Sequence, residues 1–314
     1  MAALEQLLED HTAGDPCRIR KWKRHSLRNL AELLEAQHPV SAPTVARLLR
    51  DLDYSPKVNR KHLGESSPDR DRQFQYILRQ KRLFLQHGWP VLSIDAKKRE
   101  LIGWFKNAGT AWCDEPFSVN TYDFPSLAEG IGIPYGIYDP ARNEGFVSVG
   151  VSGNTAEFAV ATVLWWWRTY GRGRYPDVPG LLLLADGGSS NGCRPRLWKY
   201  ALQTQFVDRT GLAVLVCHYP PGASKWNLVE HALFAHISQN WSGYPLHSYD
   251  WMLALIRGTE TKTGLKVFAR LDRSTYKTKK KISDEQMLEV NLHPRRVFPL
   301  WNYQLNPWAY VIQS

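Results

Sequence analysis

The sequence predicts a mixed α/β fold, a sheet with an antiparallel side and a parallel side flanked by helices, behind an all-helical N-terminal region. Three observations lead there. The apolar periodicity is helical over the first ninety residues and changes at residue 89. Two apolar runs, LLLLAD (181–186) and LAVLVCHY (212–219), have strand length and no polar face, as strands buried on both sides do. Beyond residue 89 the elements follow one another as strand, hairpin, helix, strand, helix, strand, helix.

In the first region SLRNLAELLEAQ (26–37) places Leu27, Leu30, Leu33 and Leu34 at helical spacing behind a Ser N-cap. HPVS breaks that helix. APTVARLLRDLDY (42–54) starts another behind Ser41, with Val45, Leu48, Leu49 and Leu52 on one face and Arg47 and Arg50 turned away. Two short helices across a tight break, the second with outward arginines, fit a helix-turn-helix that contacts DNA, although any small helical bundle contains such pairs. The region is assigned to residues 1–70, with SPKVNRKHLGESSPDRDR (55–72) as a polar, basic linker and residues 71–88 as a connecting helix.

The second region, 89–245, opens on the β-branched strand PVLSID (90–95). IPYGIYDPARNEGFVSVGVS (133–152) reads as a hairpin, and TAEFAVATVLWWWRTYGR (155–172) as a helix beginning near Thr155. Its three tryptophans, Trp165, Trp166 and Trp167, span too many faces for all to be buried. Strand 181–186, helix 195–211, strand 212–219 and helix 224–241 complete the alternation. Residues 101–132 fit none of it and read as an insertion. Residues 246–314, with the run STYKTKKKIS (274–283), read as a basic C-terminal extension.

With 314 residues, 43% hydrophobic content and 13 Trp, the chain can fill a sizeable core. No apolar run reaches the roughly 18 residues a membrane helix needs, and the acidic start MAALEQLLEDHTAGD has no signal-peptide architecture. Four scattered cysteines without a C-x-x-C pair argue against structural zinc and for a reduced, cytoplasmic protein. The net charge of +10 is unevenly spread. Residues 1–88 hold 16 basic against 11 acidic side chains, residues 241–314 hold 11 against 6, and the centre is balanced. Basic flanks suit a phosphate backbone; a solvated surface with a Lys/Arg surplus is the other reading.

Within the neutral centre, Asp95 ends the first strand, Asp186 ends LLLLAD, and Glu230 lies in the second turn of the helix that follows the last strand. Parallel strands joined by right-handed crossovers bring their C-terminal ends to one sheet edge, where Asp95 and Asp186 become neighbours if the first strand is central. Glu230 then arrives from a helix crossing that edge. Converging carboxylates need a counter-charge, and oxygen-only ligands suit two Mg²⁺ or Mn²⁺ ions. Singly, each acid also fits a local role: a turn cap at Asp95, an Asx-turn at Asp186, an exposed helix position at Glu230.

Several strings occur together and in order: SIDAKKRELIGWFKNAG, IPYGIYD, NTAEFAV, LLLLADGGSSNGCRPRLWK, VCHYPPGASKWNLVEHALFAHISQNWSG, TKTGLKVFARLD and VFPLWNYQL. In these the chain resembles the Rhodopirellula-type DDE transposases of bacterial insertion sequences, over nearly its whole length. The resemblance implies a ribonuclease H-like, integrase-like catalytic core in which Asp95, Asp186 and Glu230, 91 and 44 residues apart, form the metal-binding triad. It also implies a longer helical DNA-binding region than the one seen here, with a truncated or an incompletely annotated copy as the two expectations for this chain.

Around the triad, Asn191, Asn227 and His231 are expected in supporting positions, with Asn227 on the helical face of Glu230. Lys97, Lys98 and Lys225 would place positive charge beside scissile DNA, as Lys279, Lys280 and Lys281 would along the tail and Arg47 and Arg50 in the helical region. The resulting expectation is an insertion-sequence transposase that frees a 3′-OH at element ends and transfers it to target DNA. It would act on double-stranded DNA as a homo-oligomer, in the bacterial cytoplasm, associated with the nucleoid when bound. The alternatives are a nuclease or resolvase on the same fold without strand transfer, and an inactive remnant that only binds DNA.

Overall fold

The computed structural model describes residue 4, residues 13–14, 21–22, 26–35, 38–52, 54, 69–188, 190–223 and 226–308, in two units, 1–64 and 65–314. In the first unit, helices α1 (Leu27–Glu35) and α2 (Ala42–Asp51) start where serine side chains cap free amides. Ser26 Oγ accepts from the Asn29 amide at 3.2 Å and Ser41 Oγ from the Thr44 amide at 3.4 Å. Leu30, Leu34 and Val45 are buried together with Leu4, whereas Arg47 and Arg50 are exposed. Residues 13–14 and 21–22 form a short antiparallel ladder. Most of the polar linker read at 55–72 lies outside the described residues.

The second unit begins with helix α3 (Arg70–Gln86) and is built on nine strands. These are β1 (Val91–Ala96), β2 (Glu100–Ile102), β3 (Gly130–Asp139), β4 (Glu144–Gly150), β5 (Gly180–Ala185), β6 (Ala213–His218), β7 (Lys266–Asp272), β8 (Leu292–Pro294) and β9 (Asn302–Leu305). Their order across the sheet is β8-β9-β6-β5-β1-β3-β4-β7, with β2 paired to β3. Strands β1, β5 and β6 run parallel, and β3 is antiparallel to both β1 and β4. The central five, β4-β3-β1-β5-β6, thus have the order and polarity of a ribonuclease H-like core.

Helices cover both faces because every central strand is apolar on both. Helix α4 (Ala156–Trp166) and helix α5 (Arg196–Leu202) bury Phe158, Trp166 and Trp198 against one face. On the other face, α3 lays Ile77 over Val91, Leu182 and Leu184. There too lie α6, which spans 228–240 with a π-turn at Glu230–Phe234, and α7 (Tyr249–Arg257); both pack on Val147 and Val149. Among the described residues no helix is long and apolar enough to cross a membrane.

One feature differs from the expectation drawn from the sequence. Residues 246–314 are not appended to a finished core: β7 pairs in parallel with β4 at one edge of the sheet, while β9 pairs antiparallel with β6 at the other, followed by β8. These strands are short or sit at an edge, and polar residues interrupt them (KVFARLD, NYQL), so their alternation is faint in the sequence. As their spacing requires, the three consecutive tryptophans are not all buried, although none is fully exposed. Trp166 is fully buried and its two neighbours are partly buried against the same cluster. A π-turn at Trp167–Gly171 changes the angular spacing, and the Arg270 guanidinium covers Trp165 at 4.8 Å from the ring centre.

Residues 101–132 are largely irregular beyond β2, with a single 3₁₀ turn at Pro125–Leu127. Between β1 and α6 the approach is close because residue 136, paired with Asp95 across the β1–β3 ladder, is glycine. A Cβ there would stand 2.6 Å from the Phe234 ring and 3.1 Å from Val229 Cγ2. Gly136→Ala is therefore expected to push α6 off the sheet and to cost about 1–3 kcal/mol. Chemical denaturation measures it, and an unchanged midpoint would show that the helix yields freely.

Candidate active site

Asp95 and Asp186 stand side by side at the end of the parallel ladder between β1 and β5. The parallel ladder between β1 and β5 ends at the pair Ile94↔Ala185, so each aspartate is the next residue on its strand, and neighbouring strands lie about 4.8 Å apart. The long apolar stretch before each acid fixes where its backbone emerges. Glu230 comes from the other direction, at the first position of the π-turn in α6. Inserting one extra residue into a helical turn re-aims the side chains around it, and such turns recur at functional sites.

Asp95 is the most constrained of the three. It is 6% exposed, accepts a hydrogen bond from the Ala96 amide at 2.7 Å, and accepts a second from Asn227 Nδ2 at 2.9 Å. Asn227 is itself fully buried and accepts at its Oδ1 from the Ser93 hydroxyl at 2.7 Å. The Val229 amide then donates to that hydroxyl's oxygen at 3.1 Å. The start of α6 is thereby tied to β1 through one amide and one hydroxyl, three residues ahead of Glu230.

The three acids sense one another. Burial, then the charges of Asp186 and Glu230, push the Asp95 carboxyl up to about 7, against the hydrogen bonds that favour its ionised form. Burial raises Asp186. Glu230 is raised by burial and by Asp186, while Lys97 and His231 pull it back. Among the described residues no group of three or more His, Cys, Asp or Glu closes tightly enough to hold one metal ion. What the edge presents is an oxygen-only set of mutually repelling acids, a donor chemistry that suits hard divalent cations.

Of the supporting residues named from the sequence, Asn227 joins the site directly. Asn191 is fully buried, and its amide stands close enough to the buried Tyr135 hydroxyl, which feels the Asp95 charge, to favour that group's ionised form. His231 is exposed. Lys97 pairs with Glu100 at 3.8 Å and lies over the Trp241 ring at 5.0 Å, and Lys98 is exposed beside it. Lys279, Lys280 and Lys281 are exposed, with Lys280 bonded to Glu157 at 2.8 Å. Lys225 lies outside the described residues.

Ser93 was not legible as part of the site, because an isolated serine inside an apolar strand carries no motif. Fully buried His218 on β6 carries no motif either; burial pushes its pKa down to about 4, so the ring is neutral. Beyond Asp186 a cleft of 590 Å³ opens between the loops that follow β5 and β6, walled by Gly187, Gly188, Tyr219, Gly222 and Trp301. Three of its lining residues are glycines.

A family model described as the Rhodopirellula transposase DDE domain matches residues 3–307. No curated protein matches the chain. Among solved structures the chain is similar to the Mos1 transposase paired-end complex with left transposon end, at TM-score 0.43 and 17% identity over 79% of this chain and 67% of that one. The Mos1 Strand Transfer Complex gives 0.42 and 17%, over 80% and 67%. The mariner Mos1 paired end complex with Mg gives 0.43 and 17%, over 81% and 71%.

Because the fold disfavours ionised Asp95, its contribution to stability without divalent cations is full below about pH 4 and is lost as pH rises through about 7. In chelator, Asp95→Asn is expected to flatten this part of the thermal-unfolding profile between pH 5 and 8. An undiminished pH dependence in the variant would assign the effect to other groups.

Proposed function

The chain belongs to the DDE transposase family whose model it matches, and from that premise we propose that it cuts DNA at the ends of an insertion sequence and transfers the freed 3′-OH to target DNA. The observation that carries the reading is the placement of Asp95 and Asp186 one residue past the last pair of adjacent parallel strands, with Glu230 brought in by α6. Asp95, Asp186 and Glu230 would hold two Mg²⁺ or Mn²⁺ ions, which supply activation of the attacking oxygen and neutralise charge on the leaving one.

The chain's own residues prepare that chemistry. Asn227 and the Ala96 amide fix the Asp95 carboxylate in one orientation, so little reorganisation remains when a ligand arrives. Lys97, Lys98 and Lys225 supply positive charge for the phosphates that flank the cut, and Lys279, Lys280 and Lys281 extend it along the backbone. The helix pair α1–α2, with Arg47 and Arg50 outward, would read the element end as a helix-turn-helix. Joining two ends calls for at least two copies of the chain on DNA, in the bacterial cytoplasm.

The test uses purified protein, Mn²⁺ and a plasmid carrying the repeats that flank the reading frame. Nicks at the repeat ends followed by joined products are expected. Asp95→Asn, Asp186→Asn and Glu230→Gln should each reduce cleavage by roughly three orders of magnitude, equivalent to several kcal/mol of transition-state stabilisation, while remaining folded. Hydrolysis without joined products would make the protein a nuclease, and wild-type cleavage by Asp186→Asn would remove the triad assignment.

A further inference from the structure

One buried polar chain ends on Asp186 and is used by nothing described so far. His218 pairs with Ala185 across the β5–β6 ladder, and its ring turns toward the residue that has just left the sheet. His218 Nδ1 lies 3.2 Å from the Asp186 main-chain oxygen, and Nε2 lies 3.1 Å from the Tyr303 hydroxyl. The Trp198 indole Nε1 stands 2.8 Å from that same hydroxyl. His218 is fully buried, as is Trp198, and Tyr303 is 1% exposed.

The chemistry of the groups orders every proton in this chain. An indole N–H can only donate and a carbonyl oxygen can only accept. Trp198 therefore donates to the Tyr303 oxygen, which leaves the Tyr303 O–H to donate to His218 Nε2. The imidazole proton must then sit on Nδ1, directed at Asp186. Neither end of the relay can be reversed. A carbonyl one residue beyond a parallel ladder lacks a strand partner, and here a side chain supplies one.

We infer that His218, held in a single tautomer by Tyr303 and Trp198, is a positioning residue for Asp186 that fixes the main chain from which the second carboxylate projects. The relay draws on four elements: α5 through Trp198, β9 through Tyr303, β6 through His218, and the end of β5. Gln73 of α3 also donates to the His218 main-chain oxygen at 2.8 Å, which holds the backbone of the relay's third member. Partners behind a reacting carboxylate typically matter by about 10–100-fold.

The inference rests on the reading of Asp186 as a reacting carboxylate, so one arm of its test is independent of activity. Two-bond ¹H–¹⁵N spectra of the full chain labelled with ¹⁵N-histidine, assigned by His218→Asn, should show His218 with protonated Nδ1 and bare Nε2. Tyr303→Phe should stay folded and give a mixed-tautomer signal. It should also lower kcat for DNA cleavage by about 10-fold with KM for DNA unchanged. His218→Asn, whose amide can reach the same carbonyl, should retain most of the rate, and His218→Leu should lose at least as much as Tyr303→Phe. An Nε2-protonated ring in the wild type, or a folded His218→Leu or Tyr303→Phe that cleaves like the wild type, overturns the inference. A silent Asp186→Asn would overturn the reading of the site, while leaving the spectroscopic result standing.

Discussion

Asn227 spans the gap between a strand and a helix that both carry acids, with its amide nitrogen on Asp95 and its amide oxygen on Ser93. Much else follows from that bridge. A buried amide with both ends engaged tolerates little displacement, because losing either partner leaves a polar group unsatisfied in an apolar surrounding. The helix that begins beside it must therefore lie close to β1, and Gly136 on the neighbouring strand provides the room. With the helix docked in that register, the π-turn presents Glu230 toward the edge where Asp95 and Asp186 emerge.

The same arrangement concentrates electrostatic cost. Asp95 is nearly sealed from water and faces two further carboxylates, and its raised pKa expresses the work of charging it there. The fold bears this cost through two large apolar clusters on opposite faces of the sheet, anchored by Trp166 and Trp198 on one side and by Phe234 and Met252 on the other. A strained polar edge on a well-filled core is the usual form of a site that awaits a charged ligand.

Much of this could be read in the residues themselves. LLLLAD and LAVLVCHY announce buried parallel strands because they lack a polar face, and PVLSID ends in its acid where the ladder ends. The serine caps at Ser26, Ser41 and the Thr155 cap were legible for the same reason, a polar residue just ahead of a periodic apolar run. What was hidden depends on partners far away in the chain. Ser93, His218 and Tyr303 acquire their roles from residues 134, 32 and 85 positions distant in the bonds they make, and no local pattern encodes such pairings. Strands β7 and β9 leave little trace because β7 is paired on one side only and β9 is four residues long with polar positions, and the π-turns leave none because no residue type demands them.

Strand β9 also shields β6, whose sequence AVLVCH is almost wholly apolar and has β5 on its other side. Without β9 that ladder of amides and carbonyls would face solvent along a flat, uncharged, β-branched strand. An edge of this kind recruits other chains, and neither proline nor lysine in β6 blunts it. Damage to the last stretch of the chain thus bears on solubility as well as chemistry, because losing β9 would leave the β6 edge open to pairing with other chains.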